Sequence, residues 1–250
     1  MEDIRSIIWE ILESPSDQIK TTPPRMELIE AFDDLEYEDI YTDMYIYVKN
    51  LQDFYNVEVD SRATDLLESF LLETLVQLKQ NPEVTLVISS PSHVKAIAFT
   101  PEGESAAYLL DDAVTINSML EIYNDALAQN SMPQIEIGIG LASYQSDIHE
   151  CHSNCECNHE EDSQSECHHD CECEHEHGIS KSLDNQNNLA EYLANVANNG
   201  ELDPIVINEG FYGLISDLET EKSFIDQNFQ RFTIESDDLI VFHGNIVLEE

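Results

Sequence analysis

The residues best suited to chemistry are concentrated in one stretch, residues 149–177. It holds all six cysteines and seven of the nine histidines of the protein. The pattern C-H-x-x-C-E-C-x-H-E occurs there twice, with the second copy sixteen residues after the first. The candidate ligands are Cys151, His152, Cys155, Cys157 and His159 in the first copy, and Cys167, His168, Cys171, Cys173 and His175 in the second.

Each copy offers three thiolates and at least one imidazole, which together fill a tetrahedral zinc shell. We therefore predict that the segment binds zinc, with His159 or His152 completing the first site and His175 or His168 the second. Soft thiolate ligands would equally suit Cu(I) or a small thiolate-bridged cluster, so the sequence leaves the identity of the transition metal open. The spacing C-x-x-x-C-x-C-x-H is not one of the common zinc-finger spacings.

Two other interpretations of the segment compete with metal binding. A disulfide framework is disfavoured because Cys155 and Cys157, like Cys171 and Cys173, lie too close together for easy mutual bridging, and the histidines would have no role. An incidental low-complexity polar loop is disfavoured because all six cysteines fall in matched registers.

The charge of the chain limits its partners. The net charge is −42, from 52 acidic and 10 basic residues. Such a surface repels nucleic acid and anionic membranes, and it favours cations or basic partners. Adaptation to a high-salt cytoplasm would explain the acidity equally well.

The sequence also predicts a cytoplasmic location. The N-terminus carries acidic residues where a signal peptide needs a basic region, and no apolar run approaches the ~18 residues of a membrane span. Reduced thiols in the cytosol agree with metal ligation rather than with disulfides.

Periodicity predicts an α+β fold. The order β-α-β-β-α-β, followed by α-β-α-β-β, is that of a ferredoxin-like sandwich. We predict an N-terminal helical segment over 1–42 and a domain over 43–248, which a Cys/His-rich acidic insertion interrupts at 145–187. The predicted helices are 3–13, 25–35, 64–80, 106–129, 188–199 and 209–218, and the predicted strands are 44–48, 84–89, 94–99, 134–143, 204–208, 229–234 and 239–248.

Four stretches of this framework carry a resemblance to a known family. They are DAVTINSML from Asp112, IEIGIGLASY from Ile135, PIVINEGFYGLI from Pro204 and VFHGNIV from Val241. With the element order, they make residues 43–248 similar to a class III nucleotide cyclase domain, and in particular to the bacterial pyrimidine (cytidylate and uridylate) cyclases of antiphage signalling. The resemblance implies a homodimer, or a heterodimer with a cyclase-like partner.

The resemblance also implies two metal-binding aspartates, one at the end of the first strand and one in the turn of the β-hairpin. Here the first position matches Lys49, whose ammonium would oppose a divalent cation. The hairpin turn reads Ser90-Pro91-Ser92 and has no carboxylate. The family's next catalytic turn falls where the Cys/His segment stands.

Other residues could replace the missing catalytic groups, although no surrounding motif supports them. The asparagine candidates are Asn187, Asn188 and Asn195, and the aspartate candidates are Asp43, Asp53 and Asp60. Ser89, Ser90 and Ser92 beside His93 suggest a nucleophile, but turn serines are common.

These observations lead to three hypotheses. The first is a catalytically degenerate cyclase-like protein that binds zinc through the tandem repeats and has a regulatory or metal-sensing role, with no catalytic residues. The second is an active cyclase that uses Mg or Mn to make a cyclic pyrimidine or purine monophosphate. The third is a cytosolic metal buffer or chaperone.

Overall fold

The computed structural model describes residues 2–14, 28–31, 40–56, 58–145 and 189–248. The helices in these ranges are α1 (Glu2–Glu13), α2 (Leu51–Phe54), α3 (Ser61–Gln80), α4 (Gly103–Gln129), α5 (189–196), α6 (Glu209–Ile215) and α7 (Glu219–Asn228). The strands are β1 (Leu28–Ala31), β2 (Ile40–Val48), β3 (Val84–Ser90), β4 (His93–Phe99), β5 (Ile137–Gln145), β6 (Ile205–Asn208), β7 (Gln230–Ile234) and β8 (Leu239–Gly244).

The described strands form one eight-stranded sheet in the order β1-β3-β4-β2-β5-β6-β8-β7. Within it, β3, β4, β2 and β5 are neighbours in the order of a ferredoxin-like unit, and each of their pairings is antiparallel. The pairing of β5 with β6 is parallel. The predicted α+β sandwich is therefore confirmed.

The two faces of the sheet bury different side chains. Because side chains alternate along a strand, Met44, Ile46 and Val48 of β2 lie on one face and Tyr45 on the other. The first face packs under α3 and α4 in the main hydrophobic core, which also takes in Ile4 of α1. The second face holds a smaller core that Tyr45 forms with Ala142 and the apolar side of α5. We call this second face the α5 face.

Several sequence-based assignments differ from the structure, most clearly in three places. The helix predicted over 25–35 is instead a strand at Leu28–Ala31 in the described part of that range. Its backbone pairs with the outer edge of β3, and these non-local hydrogen bonds override the local helical spacing. The helix predicted over 209–218 ends at Ile215, and the additional helix α7 follows. The strand predicted to reach residue 248 ends at Gly244.

In the part of the chain that is described, no helix combines the length and the apolar character that crossing a bilayer requires.

Candidate functional site

The two positions at which the resemblance implies metal-binding carboxylates lie side by side. Strand β2 ends at Val48, and the backbone N–H of Val48 donates to the carbonyl oxygen of Ser92 at 2.8 Å. The strand end and the hairpin turn therefore form one site at the edge of the α5 face. Its sequence positions are Lys49 and Ser90-Pro91-Ser92.

Lys49 binds the end of a helix at this site. Its ammonium donates to the carbonyl oxygen of Asn195 at 3.2 Å and also to that of Ala197. These carbonyls belong to the last turn of α5 and the residue just after it, where a helix concentrates partial negative charge. Burial lowers the pKa of Lys49, and the charge of Glu136 opposes that shift.

The hairpin turn forms a network of polar side chains. The hydroxyl oxygen of Ser90 lies 2.8 Å from Nδ1 of His93, and that of Ser92 lies 3.2 Å from the same nitrogen. The imidazole of His93 stacks on the ring of Tyr45, with 4.9 Å between the ring centroids. The turn itself brings no carboxylate to the site, as its sequence predicts.

Further along β2, a buried ion pair lies on the same face. Oδ2 of Asp43 lies 2.9 Å from Nζ of Lys95, and the hydroxyl of Tyr144 donates to Oδ1 at 3.2 Å. Asp43 is 0 % exposed, so its charge depends on these two partners for compensation. Burial raises the pKa of Asp43, while the Lys95 ammonium and the Tyr144 hydroxyl act to lower it.

The other two candidate aspartates have different environments. Asp60 is the N-cap of α3, where its carboxylate accepts from the backbone N–H of Arg62 at 3.0 Å and pairs with the Arg62 guanidinium. Asp53 is exposed in the short helix α2. The structure therefore brings neither of them to the strand end or the hairpin turn.

Helix α5 reaches the sheet through two glycines of β5. A Cβ atom at Gly138 would collide with the carbonyl oxygen of Ala194, and one at Gly140 with the carbonyl oxygen of Ala190. The alternating glycines of β5 predicted such a close backbone approach, and the structure confirms it. This contact seats the C-terminal end of α5 over Lys49.

Solved structures of nucleotide cyclases share this architecture. The adenylyl cyclase CyaB from P. aeruginosa matches with a TM-score of 0.50 and 11% sequence identity, over 90% of this chain and 97% of that one. A bacterial light-regulated adenylyl cyclase matches with a TM-score of 0.51 and 13% identity, over 83% of this chain and 90% of that one. The chain has a class III nucleotide cyclase-like fold. No family model and no curated protein matches its sequence.

In this cyclase-like fold, the four stretches that carry the resemblance all lie on scaffold elements. They run through α4, through β5, from β6 into α6, and through β8. The described asparagine candidate, Asn195, lies in α5, where its side chain donates to the carbonyl oxygen of Glu191 at 2.9 Å. Asn187 and Asn188 lie outside the described residues.

The ten predicted metal ligands, from Cys151 to His175, also lie outside the described residues. Within the described ranges, no three His, Cys, Asp or Glu side chains gather in a way that could hold a metal ion. The two described histidines are His93, at the hairpin, and His243, which is buried in β8 beside Asp203. The metal prediction therefore depends on the Cys/His repeats alone.

Sequence reasoning missed the pairing of Asp43 with Lys95. A signal for the position of Asp43 was available, since Tyr41, Asp43, Tyr45 and Tyr47 alternate along β2 with Thr42, Met44 and Ile46, which puts Asp43 on a face among aromatic side chains. The bond from Lys49 to α5 had no such signal, because it joins residues 146 and 148 positions apart.

Proposed function

We propose that this protein is a catalytically silent relative of the nucleotide cyclases that binds zinc, or another soft transition metal ion, through its tandem Cys/His repeats. Its role is regulatory: the metal-loaded repeats report metal availability to the cyclase-like body of the protein. The resemblance to pyrimidine cyclases suggests a pathway of antiphage signalling. We propose the cytoplasm as the compartment.

The position of the Lys49 ammonium is the observation that carries the proposal of catalytic silence. A cyclase of this fold needs carboxylates at the strand end and in the hairpin turn to hold divalent metal ions. Here a cation already occupies the strand end, and the carbonyl groups of α5 hold it in place. The adjoining turn offers serine hydroxyls and an imidazole, which bind Mg²⁺ poorly compared with carboxylates.

The environment of Asp43 supports the same conclusion. Asp43 is the one acidic residue of β2, but its carboxylate is buried in the middle of the strand and already paired with the Lys95 ammonium. A divalent cation would have to displace the ammonium from a site with almost no exposed surface. On this face, Lys95 therefore occupies the Asp43 carboxylate, and Lys49 occupies the carbonyl groups at the end of α5, so that neither set of oxygens is open to a metal ion.

The placement of the repeats supports a link between metal binding and the site. The Cys/His segment is flanked by β5 and α5, which the glycine contacts at Gly138 and Gly140 hold together on the sheet. Metal binding free energy of a structural zinc site is also folding free energy for the segment that supplies the ligands. Metal binding to the repeats would therefore act on the two elements that build the α5 face.

The partner we propose is a second cyclase-like subunit, either another copy of this chain or an active relative. On the α5 face, Leu86, Ile88 and Ile97 of β3 and β4 are apolar and only half-buried. Apolar side chains of this kind are typical of the centre of a protein interface.

The proposal is tested with the purified full chain. Elemental analysis is expected to give about two zinc ions per chain, from four ligands per tetrahedral site. Incubation with ATP, GTP, CTP and UTP plus Mn(II) is expected to yield no cyclic nucleotide and no pyrophosphate. Cyclic product that disappears in an Asp43→Asn variant would instead establish an active cyclase. A metal-free chain with unchanged spectra after addition of Co(II) would refute the metal site.

A further inference from the structure

A groove lies between α1 and α4. It encloses about 600 Å³, and its apolar wall is formed by Ile8 and Leu12 of α1 with Ile122 and Ala126 of α4. Trp9 lines the groove and is 63 % exposed. An exposed tryptophan beside an apolar groove is typical of a binding surface. We call this feature the α1–α4 groove.

A second, smaller cavity continues the groove along α4. It encloses about 200 Å³, shares Arg5, Ile122 and Asp125 with the groove, and adds Val247 and Leu248 to the apolar lining. Leu248 is 46 % exposed. The two cavities together form an elongated apolar surface along one helix, rather than a closed pocket for a small molecule.

The rim of this surface is acidic. Glu13 and Asp125 line the groove, and Glu121 lines the continuation, against the guanidinium of Arg5. Beyond the rim, the whole chain carries a net charge of −42. The combined field attracts a cationic partner and repels an anionic one.

We propose that the α1–α4 groove binds a basic amphipathic helix of another protein. An elongated apolar floor accepts the apolar face of a helix through anchors at positions i, i+3, i+4 and i+7. The acidic rim pairs with the lysine and arginine side chains that flank such a face. A second copy of this chain is a poorer occupant, because two surfaces of the same negative charge would meet.

The test uses the only tryptophan of the protein, which lies in the groove. The probe is a peptide of leucine and lysine, about 18 residues or five helical turns long, with the leucines on one face. The control peptide has the same composition in a scrambled order. Titration of the full chain with the amphipathic peptide is expected to shift the Trp9 emission to shorter wavelength and to saturate, whereas the scrambled peptide leaves it in place.

Two variants separate the groove from the general charge of the chain. Ala126→Arg puts a bulky cation on the groove floor, and we expect it to weaken the amphipathic peptide about tenfold or more. Val76→Arg adds the same charge on the outer face of α3, where Val76 is 41 % exposed, and we expect a change below about twofold. Both variants keep Trp9 as the reporter.

Several results would overturn the proposal. An equal response to both peptides, or an equal effect of both variants, would show attraction to the charge alone. No response to the amphipathic peptide would show that the groove is not a helix site or is already filled by this chain. If the Trp9 emission changed with protein concentration, and if Ala126→Arg abolished that dependence, a second copy of the chain would be identified as the occupant.

Discussion

Nζ of Lys95 lies 2.9 Å from Oδ2 of Asp43, across two adjacent strands on the α5 face of the sheet. The side chain of Asp43 is 0 % exposed and that of Lys95 is 15 % exposed. The free energy needed to remove two charges from water offsets much of their mutual attraction, so the pair adds little net stability. Removing one partner alone is costly, because the other charge is then left buried without compensation.

The first prediction concerns this asymmetry. We expect Lys95→Met to lower the free energy of unfolding by about 3–5 kcal/mol, because it leaves the Asp43 carboxylate unpaired. Adding Asp43→Asn to that variant is expected to recover most of the loss, since the amide is neutral and still accepts from Tyr144. Urea denaturation of the wild type, both single variants and the double variant measures the coupling.

A matched control removes an exposed lysine. Lys222→Met in α7 is expected to change the free energy of unfolding by less than about 0.5 kcal/mol, because that side chain is exposed. Additive effects of Asp43→Asn and Lys95→Met would contradict the coupling inferred from the geometry.

The second prediction concerns pH. Burial raises the pKa of Asp43 in the folded state, even though Lys95 and Tyr144 act against the shift. A carboxyl group with a raised folded pKa stabilises most below its unfolded pKa of about 3.9, and this contribution is lost as pH rises through the folded value. As pH rises above about 4, the free energy of unfolding of the wild type is therefore expected to fall relative to that of Asp43→Asn. A flat or opposite trend in urea denaturation would show that the Lys95 charge outweighs burial.

The elements that local pattern predicted well are those with long periodic stretches. Helix α3 was predicted over 64–80 and spans Ser61–Gln80, and the hairpin strands β3 and β4 were predicted almost to the residue. The strand β1 was missed because four residues, Leu28–Ala31, gain their structure from pairing with β3, and that pairing is not encoded in local spacing.

The sequence predicted which residues occupy the candidate site, but it did not predict the contacts that those residues make. The sequence placed Lys49 at the strand end and Ser90-Pro91-Ser92 in the hairpin, and the structure brings both together. What holds the Lys49 ammonium, however, is the end of α5, which the chain reaches only after residues 146–188. Contacts of such long sequence separation depend on the assembled sheet, and no local pattern encodes them.

The third prediction concerns the glycines under α5. Gly140→Ala is expected to lower the free energy of unfolding by about 1–3 kcal/mol, because the added Cβ meets the carbonyl oxygen of Ala190 and forces α5 away from the sheet. The control is Gly213→Ala in α6, where an added Cβ meets nothing within 4 Å. This control is expected to stabilise the protein by about 0.5–1 kcal/mol, since alanine favours a helix. Equal effects of the two substitutions would show that α5 does not rest on Gly140.

The fourth prediction concerns the ammonium at the end of α5. Lys49→Met removes the donor to the carbonyl groups of Asn195 and Ala197, and we expect a loss of about 1 kcal/mol in the free energy of unfolding. Lys49→Asp is expected to cost more than Lys49→Met, because a carboxylate would face the same carbonyl oxygens. A Lys49→Asp variant as stable as the wild type would show that the strand end tolerates an acidic residue.

The final prediction concerns the independence of the two Cys/His repeats, which rests on their separate and complete sets of ligands. Replacing Cys155 and Cys157 by serine is expected to reduce bound zinc from about two ions per chain to about one, because the second repeat keeps three thiolates and an imidazole. Replacing all six cysteines is expected to remove both. Elemental analysis and the Co(II) spectrum of each variant measure the number of sites, and Ser153→Ala with Ser165→Ala is the control within the same segment. Loss of both ions from the first variant would mean that the repeats share one thiolate-bridged cluster, with the ten candidate ligands acting as a single unit.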